Sequence, residues 1–362
     1  MRSFSDFKDP EIVKGLVEKI NRYKTPANLM EFCGSHTAAI LRYGIRQLVP
    51  PNIKLLSGPG CPVCVTANID IDRAIAMSKL PNVIMTSFGD MLRVPGSFES
   101  LQDARAQGAD VRVVYSSLDA IEIAQANPDK EVIFMGIGFE TTAPTIAASV
   151  EVASQLGLKN YSVFSTAKTC PPVMAAILDA GEVKINGIIC PGHVTTIIGT
   201  APYSFIPEKH KIACAVAGFD PVDVLQAIDM IMAQIEKGDP EIEIAYTRGV
   251  AKEGNVNAVK VIENVFDHTD ATWRGVGLVP KSGLKLKEKF RAYDAEYKFD
   301  VDPGPLREHK GCICGEILRG VKTPHDCPLF RKTCTPIKPV GPCMVSGEGA
   351  CASYYQYSEG EE

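Results

Sequence analysis

Cysteine residues are the side chains of this sequence best suited to chemistry. The chain has 12 cysteines, and six of them lie in one C-terminal segment, at Cys312, Cys314, Cys327, Cys334, Cys343 and Cys351. This segment has many Gly and Pro residues and little periodicity, so bonds between thiolates and a metal are a plausible way to order it. Four thiolates suit either zinc or a 4Fe-4S cluster. Zinc sites usually have two tight C-x-x-C pairs, which this segment lacks, so the spacing favours the cluster.

A cubane cluster needs four ligands, which leaves two of the six thiols free. We assign the cluster to Cys314, Cys327, Cys334 and Cys351, and an adjacent dithiol to Cys312 and Cys343. The spacing does not distinguish Cys312 from Cys314, or Cys343 from Cys351. Either member of each of these two pairs could therefore be the cluster ligand.

A second motif, Cys33 with His36, follows a predicted strand and leads into a helix predicted to begin near Thr37. The N-terminus of a helix lowers the pKa of a thiol, so Cys33 is predicted to carry thiolate character. Such a residue could hold iron or zinc together with His36, or act as a nucleophile. The alternative is that Cys33 is a small buried residue and that His36 caps the helix.

A third motif, Cys61-Pro62-Val63-Cys64, is a C-x-x-C pair at the end of another predicted strand. This spacing suits reversible disulfide formation, or one half of a tetrahedral metal site. The preceding Gly-Pro-Gly predicts an exposed and tightly turned loop. The alternative is a pair of packed structural thiols.

Polar residues occupy further loops that follow predicted strands. Asp90 and Glu140 could supply acid-base groups or orient a ligand, or either could cap the next helix. For Glu140, the capping role is favoured. His193 could orient its loop or bind a ligand. The Gly-x-Gly beginning at Gly136 is too short for a dinucleotide fingerprint, so we predict no nucleotide site.

Eight short apolar runs alternate with Gly-containing loops and helical stretches, which is typical of parallel sheets covered on both faces. The predicted strands lie near residues 28–32, 53–56, 83–86, 111–115, 132–135, 162–165, 187–189 and 212–216. Asp9 is expected to cap a helix that runs to about residue 23, and an amphipathic helix is predicted over 221–235. Ligands bind at the carboxyl ends of parallel strands, where the motifs above lie.

The length of 362 residues favours more than one core. A turn at residues 127–129 divides the predicted strands four and four. We therefore predict an α/β fold with two parallel-sheet domains, at residues 28–128 and 129–237. Residues 1–27 and 238–362 are expected to form a third and smaller C-terminal domain, which contains the iron-sulfur cluster.

The composition limits the classes of partner. Hydrophobic residues make up 45% of the chain and charged residues 22%, as in ordinary globular proteins. The net charge of -5 and the pI near 5.8 argue against nucleic acid and anionic membranes as partners. No secretory signal and no run of about 20 apolar residues is evident. Because the cysteine usage suits a reducing compartment, we predict a cytoplasmic protein.

Six motifs in order resemble those of the HypD family of hydrogenase maturation factors, and together they cover most of the chain. They are FCGSHT from Phe32, GPGCPVC from Gly58, SFGDMLRVPGS from Ser87, GFETTAPT from Gly138, PGHV from Pro191 and CMVSGEGAC from Cys343. The resemblance implies two Rossmann-like domains and a third domain with a 4Fe-4S cluster, similar to that of ferredoxin-thioredoxin reductase.

The resemblance also implies a function. The family builds the Fe(CN)2CO unit of nickel-iron hydrogenases in complex with a HypC-type chaperone, while HypE, acting with HypF, delivers cyanide. The hydrogenase large subunit is then an indirect partner. By this resemblance, Cys33 would hold a transient iron ion together with a HypC cysteine, with His36 close by. Cys61 and Cys64 would form a redox pair that links this iron to the cluster.

We therefore expect an assembly scaffold on which iron receives cyanide and carbon monoxide, rather than a conventional turnover enzyme. One alternative is a 4Fe-4S-dependent protein disulfide reductase that acts through Cys61 and Cys64. Another is a binding module whose C-terminal segment is held together by zinc.

Overall fold

The computed structural model describes residues 4–358, and its strands include all eight that the sequence predicts. Over this range the strands are Ala27–Glu31 (β1), Ile53–Ser57 (β2), Val83–Ser87 (β3), Asp110–Val113 (β4), Glu131–Gly136 (β5), Tyr161–Ser165 (β6), Gly187–Pro191 (β7), Ala213–Ala217 (β8), Ile242–Ile244 (β9), Phe266–Trp273 (β10) and Gly277–Leu286 (β11). The continuous apolar runs predicted these strands well because most of them are buried on both faces; every residue of β3, β7 and β8 is buried.

Two parallel sheets form the centre of the fold. The first sheet has the order β2-β1-β7-β8-β9, and the second has the order β4-β3-β5-β6. All pairings within both sheets are parallel. The predicted α/β class is confirmed.

The strand pairing does not follow the predicted boundary between residues 128 and 129. Strand β1 pairs with β7, with Leu29 opposite Gly187, so the first sheet takes strands from both predicted domains. The chain leaves the first sheet after β2, builds the whole second sheet and then returns. Apolar patterning is a local signal, whereas the choice of a neighbouring strand depends on long-range packing, so the contiguous division was wrong.

Helices cover the faces of both sheets. In chain order they are Pro10–Ile20 (α1), Gly34–Arg42 (α2), Ile45–Leu48 (α3), Pro62–Val65 (α4), Asn68–Ser78 (α5), Gly89–Leu92 (α6), Leu101–Ala106 (α7), Ser117–Ala126 (α8), Ala143–Gln155 (α9), Cys170–Ala180 (α10), Gly192–Ile198 (α11), Pro221–Lys237 (α12), Val256–Val265 (α13), Ala295–Lys298 (α14), Cys314–Leu318 (α15) and Ala350–Tyr357 (α16). Short 3-10 or π segments occur at Phe4–Lys8, Ala201–Tyr203, Ile206–His210, Glu288–Tyr293, Pro324–Asp326 and Pro342–Met344. Within residues 4–358, none of these helices has both the length and the apolarity to cross a bilayer.

The first helix begins as the sequence predicts. The Asp9 carboxylate accepts hydrogen bonds from the backbone N–H groups of Glu11, at 2.8 Å, and Ile12, at 3.4 Å. Helix α1 ends at Ile20, three residues before the predicted end, and packs against α12. These two helices cover one face of the first sheet.

The antiparallel hairpin β10–β11 was not predicted, because the last of the predicted strands lies at residues 212–216. Its Trp273 is fully buried, and the indole N–H donates to Ser282 Oγ at 2.8 Å. The Trp273 ring stacks on Phe139 with ring centroids 5.6 Å apart. The hairpin thereby connects the loop after β5 to a core that also contains Cys64 and the C-terminal cysteines.

Candidate functional site

Six cysteine side chains line a single cavity in the C-terminal segment, as the sequence predicts. They are Cys312, Cys314, Cys327, Cys334, Cys343 and Cys351. Short helices and turns bring them together: Cys314 begins α15, Cys343 lies in the turn Pro342–Met344, and Cys351 lies in the first turn of α16. The cavity measures about 10 Å³, so a bound inorganic cluster would require the thiols to move apart.

Two of these thiols form a closer pair. The Sγ atoms of Cys314 and Cys343 lie 2.8 Å apart. Cys314 is buried, whereas Cys312 is only partly buried and lies before the helix begins. The geometry therefore favours Cys314, rather than the predicted Cys312, as the partner of Cys343. The sequence could not distinguish the two residues, because the direction of each side chain is set by where α15 starts.

The remaining surroundings of the cavity are apolar, apart from backbone groups. Its other lining residues are Ile317, Leu329, Phe330, Gly341 and Met344, so none of the carboxylates or imidazoles of residues 4–358 lines it. Burial raises the pKa of the Cys334 thiol, while the backbone N–H of Val340 donates to Cys334 Sγ at 3.3 Å. Thiolates with N–H donors in apolar surroundings are the donor set of iron-sulfur clusters.

The C-x-x-C pair is buried, so the predicted exposed loop is wrong. Cys61 is 3% exposed and Cys64 is fully buried. The turn Pro342–Met344 covers the loop, and the Cys64 thiol contacts both Cys61 and Cys343. Cys343 in turn contacts Cys314 and Cys351. The pair therefore continues directly into the six-cysteine cavity.

Cys33 lies on the other side of the C-x-x-C loop. It is the N-cap of α2, and the N–H of Gly34 donates to the carbonyl of Gly60 at 2.9 Å. A side chain at Gly60 would place its Cβ 2.5 Å from Cys33 Cα, so the two loops can approach this closely only with glycine at this position. The sulfur-containing residues thus run from Cys33, past Cys61 and Cys64, to the cavity.

The predicted thiolate character of Cys33 is not present in this structure. Burial raises the pKa of its thiol to about 12, and the carboxylates of Glu348 and Glu31 act in the same direction. The N–H groups at the start of α2 favour the thiolate, but the loss of solvation outweighs them. Cys33 is therefore a protonated thiol, and binding of a metal ion to its sulfur would release the proton to a base or to solvent.

His36 does not cap α2, because its ring reaches the end of β8. Its Nε2 lies 3.2 Å from the carbonyl oxygen of Ala217 and 3.1 Å from that of Gly218. Nε2 must donate to these carbonyls, so Nδ1 carries the free lone pair, and it has no hydrogen-bond partner among the described residues. Burial lowers the pKa of the imidazole to about 4. His36 is therefore a neutral imidazole that can act as a ligand.

His193 stacks on a ring that also contacts His36. The ring centroids of His193 and Phe219 lie 3.8 Å apart, and those of His36 and Phe219 lie 4.9 Å apart. This stacking favours the loop-orienting alternative for His193.

Within residues 4–358, no three His, Cys, Asp or Glu side chains are grouped closely enough to hold a single metal ion.

Glu140 caps a helix other than the predicted one. Its Oε1 accepts the N–H of Cys170 at 2.8 Å, at the start of α10, whereas capping of α9 was expected. Its Oε2 is buried and has no hydrogen-bond partner in the described chain. Burial raises the pKa of this carboxyl to about 7.

Glu31 is a second buried carboxyl, which the sequence reasoning missed. It accepts the N–H of Cys33 at 2.8 Å and the hydroxyl of Thr37, and burial raises its pKa to about 7. The available signal was an acidic residue at the end of an apolar strand, directly before the Cys33 motif. Through its hydrogen bond to the Cys33 N–H, the Glu31 carboxyl fixes the backbone position of Cys33.

Asp90 lies at the surface in the first turn of α6. Its side chain is 45% exposed and pairs with Arg93 at 3.3 Å. Arg93 also donates to the carbonyl of Val345 at 2.9 Å, so this pair links α6 to the C-terminal segment. The structure does not bring Asp90 among the buried thiols, and nothing in its surroundings supports an acid-base role.

Comparison with known proteins gives consistent results along the whole chain. Residues 11–358 match the family model described as "HypD: Hydrogenase formation hypA family". The chain is 46% identical over 368 residues to hydrogenase maturation factor HypD2 of Bradyrhizobium diazoefficiens, covering 99% of this chain and 97% of that protein. It is also 46% identical to hydrogenase expression/formation protein HupD of Azotobacter chroococcum, with the same coverage. Identity to hydrogenase maturation factor HypD of Rhizobium leguminosarum is 44%, over 100% of this chain and 97% of that protein.

Proposed function

Because the chain belongs to the HypD family of hydrogenase maturation factors, we propose that it is a scaffold that holds an iron ion at Cys33. On this scaffold the ion receives cyanide and carbon monoxide before it passes to a hydrogenase. His36, a neutral imidazole with a free lone pair at Nδ1, would lie beside the ion. A HypC-type chaperone would supply a further thiolate, and HypE with HypF would supply cyanide.

The unbroken series of contacts from the Cys33 loop to the six-cysteine cavity is the observation that carries this proposal. Backbone contact joins the Cys33 loop to Gly60, and thiol contacts lead from Cys61 through Cys64 to Cys343. A redox pair between an iron site and a sulfur-rich cavity can pass electrons only if its members are close. The protein brings these residues together from three separate parts of the chain.

We propose that the six-cysteine cavity holds a 4Fe-4S cluster. Cys312, Cys327, Cys334 and Cys351 would be the ligands, and Cys314 with Cys343 would be the adjacent dithiol. When bound, the cluster would supply one-electron redox chemistry. In this arrangement the Cys314–Cys343 dithiol would lie between the cluster and the C-x-x-C pair.

The alternative of a protein disulfide reductase is disfavoured by burial. Cys61 and Cys64 are 3% and 0% exposed, and the Pro342–Met344 turn covers them. A protein disulfide could not reach these thiols in this conformation. A small iron complex bound at the neighbouring Cys33 loop needs no such access.

Infrared spectroscopy of the complex with the HypC-type chaperone tests the role of Cys33. We expect bands of metal-bound cyanide and carbon monoxide in the unchanged protein, and their loss in Cys33→Ala. The matched control is Cys214→Ala, which removes a buried thiol in β8. If the bands persist in Cys33→Ala, Cys33 does not hold the iron.

Metal analysis tests the cluster separately. Protein purified without oxygen should contain iron and acid-labile sulfide in about a 1:1 ratio and should be brown, as expected of a 4Fe-4S cluster. A colourless protein with one equivalent of zinc would contradict the cluster and support the zinc alternative.

A further inference from the structure

A cleft connects the protein surface to the six-cysteine cavity. It consists of two adjoining spaces of about 560 Å³ and about 250 Å³, which share Arg274, Glu308, His309 and Val340 in their walls. The smaller space is also lined by Cys312 and Cys314. We call this feature the Arg274 cleft. It reaches the sulfur cavity at Cys312 and Cys314, whereas the C-x-x-C pair contacts Cys343.

The available charge of the Arg274 cleft is positive. Arg274, Arg307 and Lys310 line it, and none of the three has an ion-pair partner within residues 4–358. The Nη1 of Arg274 is buried without a hydrogen-bond partner in the same range. Three acidic lining residues are engaged elsewhere, because Glu99 pairs with Lys79, Glu316 pairs with Lys322 and Asp103 caps α7. Glu308 remains as a single opposing carboxylate.

The chain segment that contributes to the cleft also has a positive net charge. Residues 306–345 contain seven Lys or Arg and three Asp or Glu, which gives a net charge of +4, whereas the whole chain carries -5. Positive charge is therefore concentrated in the segment that contributes Arg307, Lys310 and Cys312 to the cleft. Concentrated charge of this kind steers an oppositely charged partner to its docking site.

Large exposed apolar side chains lie in the wall of the cleft or next to its lining residues in sequence. Phe98 lines the cleft and is 66% exposed. Leu306 is 60% exposed and Ile337 is 96% exposed, and each is one or two residues from a lining residue, Arg307 or Pro339. Exposed apolar residues beside unpaired charges are typical of surfaces that bind proteins. A small anion would need the charges but not these apolar side chains.

We propose that the Arg274 cleft is the docking surface for an acidic one-electron carrier protein. This inference rests on the proposed function, since it takes the six-cysteine cavity to hold a redox cluster. Each docking event would oxidise the reduced carrier by one electron and reduce the cluster by one electron, with no bond made or broken. Electrons would enter at Cys312 and leave through Cys343 and Cys314 toward the C-x-x-C pair.

The test uses the intact protein and an acidic 2Fe-2S ferredoxin as the probe. The variant is Arg307→Glu with Lys310→Glu, both exposed residues of the cleft. The matched control is Lys159→Glu with Lys260→Glu, which makes the same change in net charge at exposed residues outside the cleft. Binding is measured by calorimetry at low salt, and reduction by the ferredoxin is followed by stopped-flow absorbance.

We expect the cleft variant to weaken binding and slow reduction by at least about tenfold, and the control to change both by less than about twofold. Reduction by dithionite, which needs no docking surface, should be equally fast in all three proteins. Equal weakening in the two variants, or absence of ferredoxin binding by the unchanged protein, would overturn the proposal.

Calorimetry with a redox-inert, gallium-substituted ferredoxin separates this inference from the proposed function. If the anaerobically purified protein contains no iron and no sulfide, the cluster is contradicted. Binding of the probe to that protein would still support the docking surface if it depends on Arg307 and Lys310. A protein with its full cluster that fails to bind the probe would contradict the docking surface alone.

Discussion

Glu140→Gln should remove a dependence of stability on pH that burial creates. Glu140 is 4% exposed, and burial raises the pKa of its carboxyl from 4.5 to about 7. The folded state therefore binds this proton more tightly than the unfolded state does. The free energy of unfolding of the unchanged protein should fall as pH rises from 4.5 to 7, because a buried charge then forms. Gln keeps the acceptor for the Cys170 N–H and cannot ionise.

The size of the effect follows from the shift of pKa. A rise from 4.5 to about 7 corresponds to about 3 kcal/mol of lost stability once the carboxyl is fully ionised, at 1.36 kcal/mol for each pKa unit. Because the carboxyl is buried, solvent does not screen this charge and the free energy is not reduced further. Between pH 5 and pH 8, Glu140→Gln should gain about 2 to 3 kcal/mol relative to the unchanged protein. Glu31 titrates over the same range in both proteins, so its contribution cancels in this difference.

Urea unfolding under anaerobic conditions measures this difference. The chain has a single tryptophan, Trp273, which stacks on Phe139 next to Glu140, so its fluorescence reports on this site. Glu122→Gln, at an exposed position of α8, is the matched control because it makes the same substitution without a buried carboxyl. If the difference between Glu140→Gln and the unchanged protein is the same at pH 5 and pH 8 within about 0.5 kcal/mol, the burial argument is refuted.

Four other substitutions test the packing and the thiols. After anaerobic reconstitution, the Cys312→Ser variant should contain little iron and acid-labile sulfide, whereas the Cys314→Ser variant should retain both. Equal losses in the two variants would contradict the pairing of Cys314 with Cys343. Trp273→Ala should lower the free energy of unfolding by about 3 to 5 kcal/mol, because it leaves a cavity at a fully buried site. Unfolding is followed by circular dichroism, and a loss below about 1 kcal/mol would contradict that packing. Gly187→Ala should cost about 1 to 3 kcal/mol in the same assay, because its Cβ would lie 2.3 Å from Ile231; a neutral effect would mean that α12 can shift.

The sequence predicted the strands but not how they pair. Each strand is a short apolar run between turn residues, and this local pattern is sufficient to locate it. The neighbour of β1 depends instead on contacts such as Leu29 opposite Gly187, residues more than 150 positions apart. No local feature distinguishes that partner from β3, so the contiguous division into domains failed.

The candidate site shows the same difference between local and long-range information. The types and spacing of Cys33, Cys61 and Cys64 singled out residues that the fold brings close together. Their protonation was predicted wrongly for Cys33, because a helix N-terminus is visible in sequence while burial under Glu348 and the Gly60 loop is not. Cys312 and Cys314 could be told apart only by the start of α15.

The interrupted first sheet has a consequence for synthesis on the ribosome. Strands β3 to β6 are consecutive in the chain, so the second sheet can assemble before Gly187–Pro191 is translated. During that interval β1 has β2 on one side and an unpaired edge on the other. A nascent chain would therefore expose an apolar strand edge next to finished structure, which is the condition under which misassembly and chaperone binding occur.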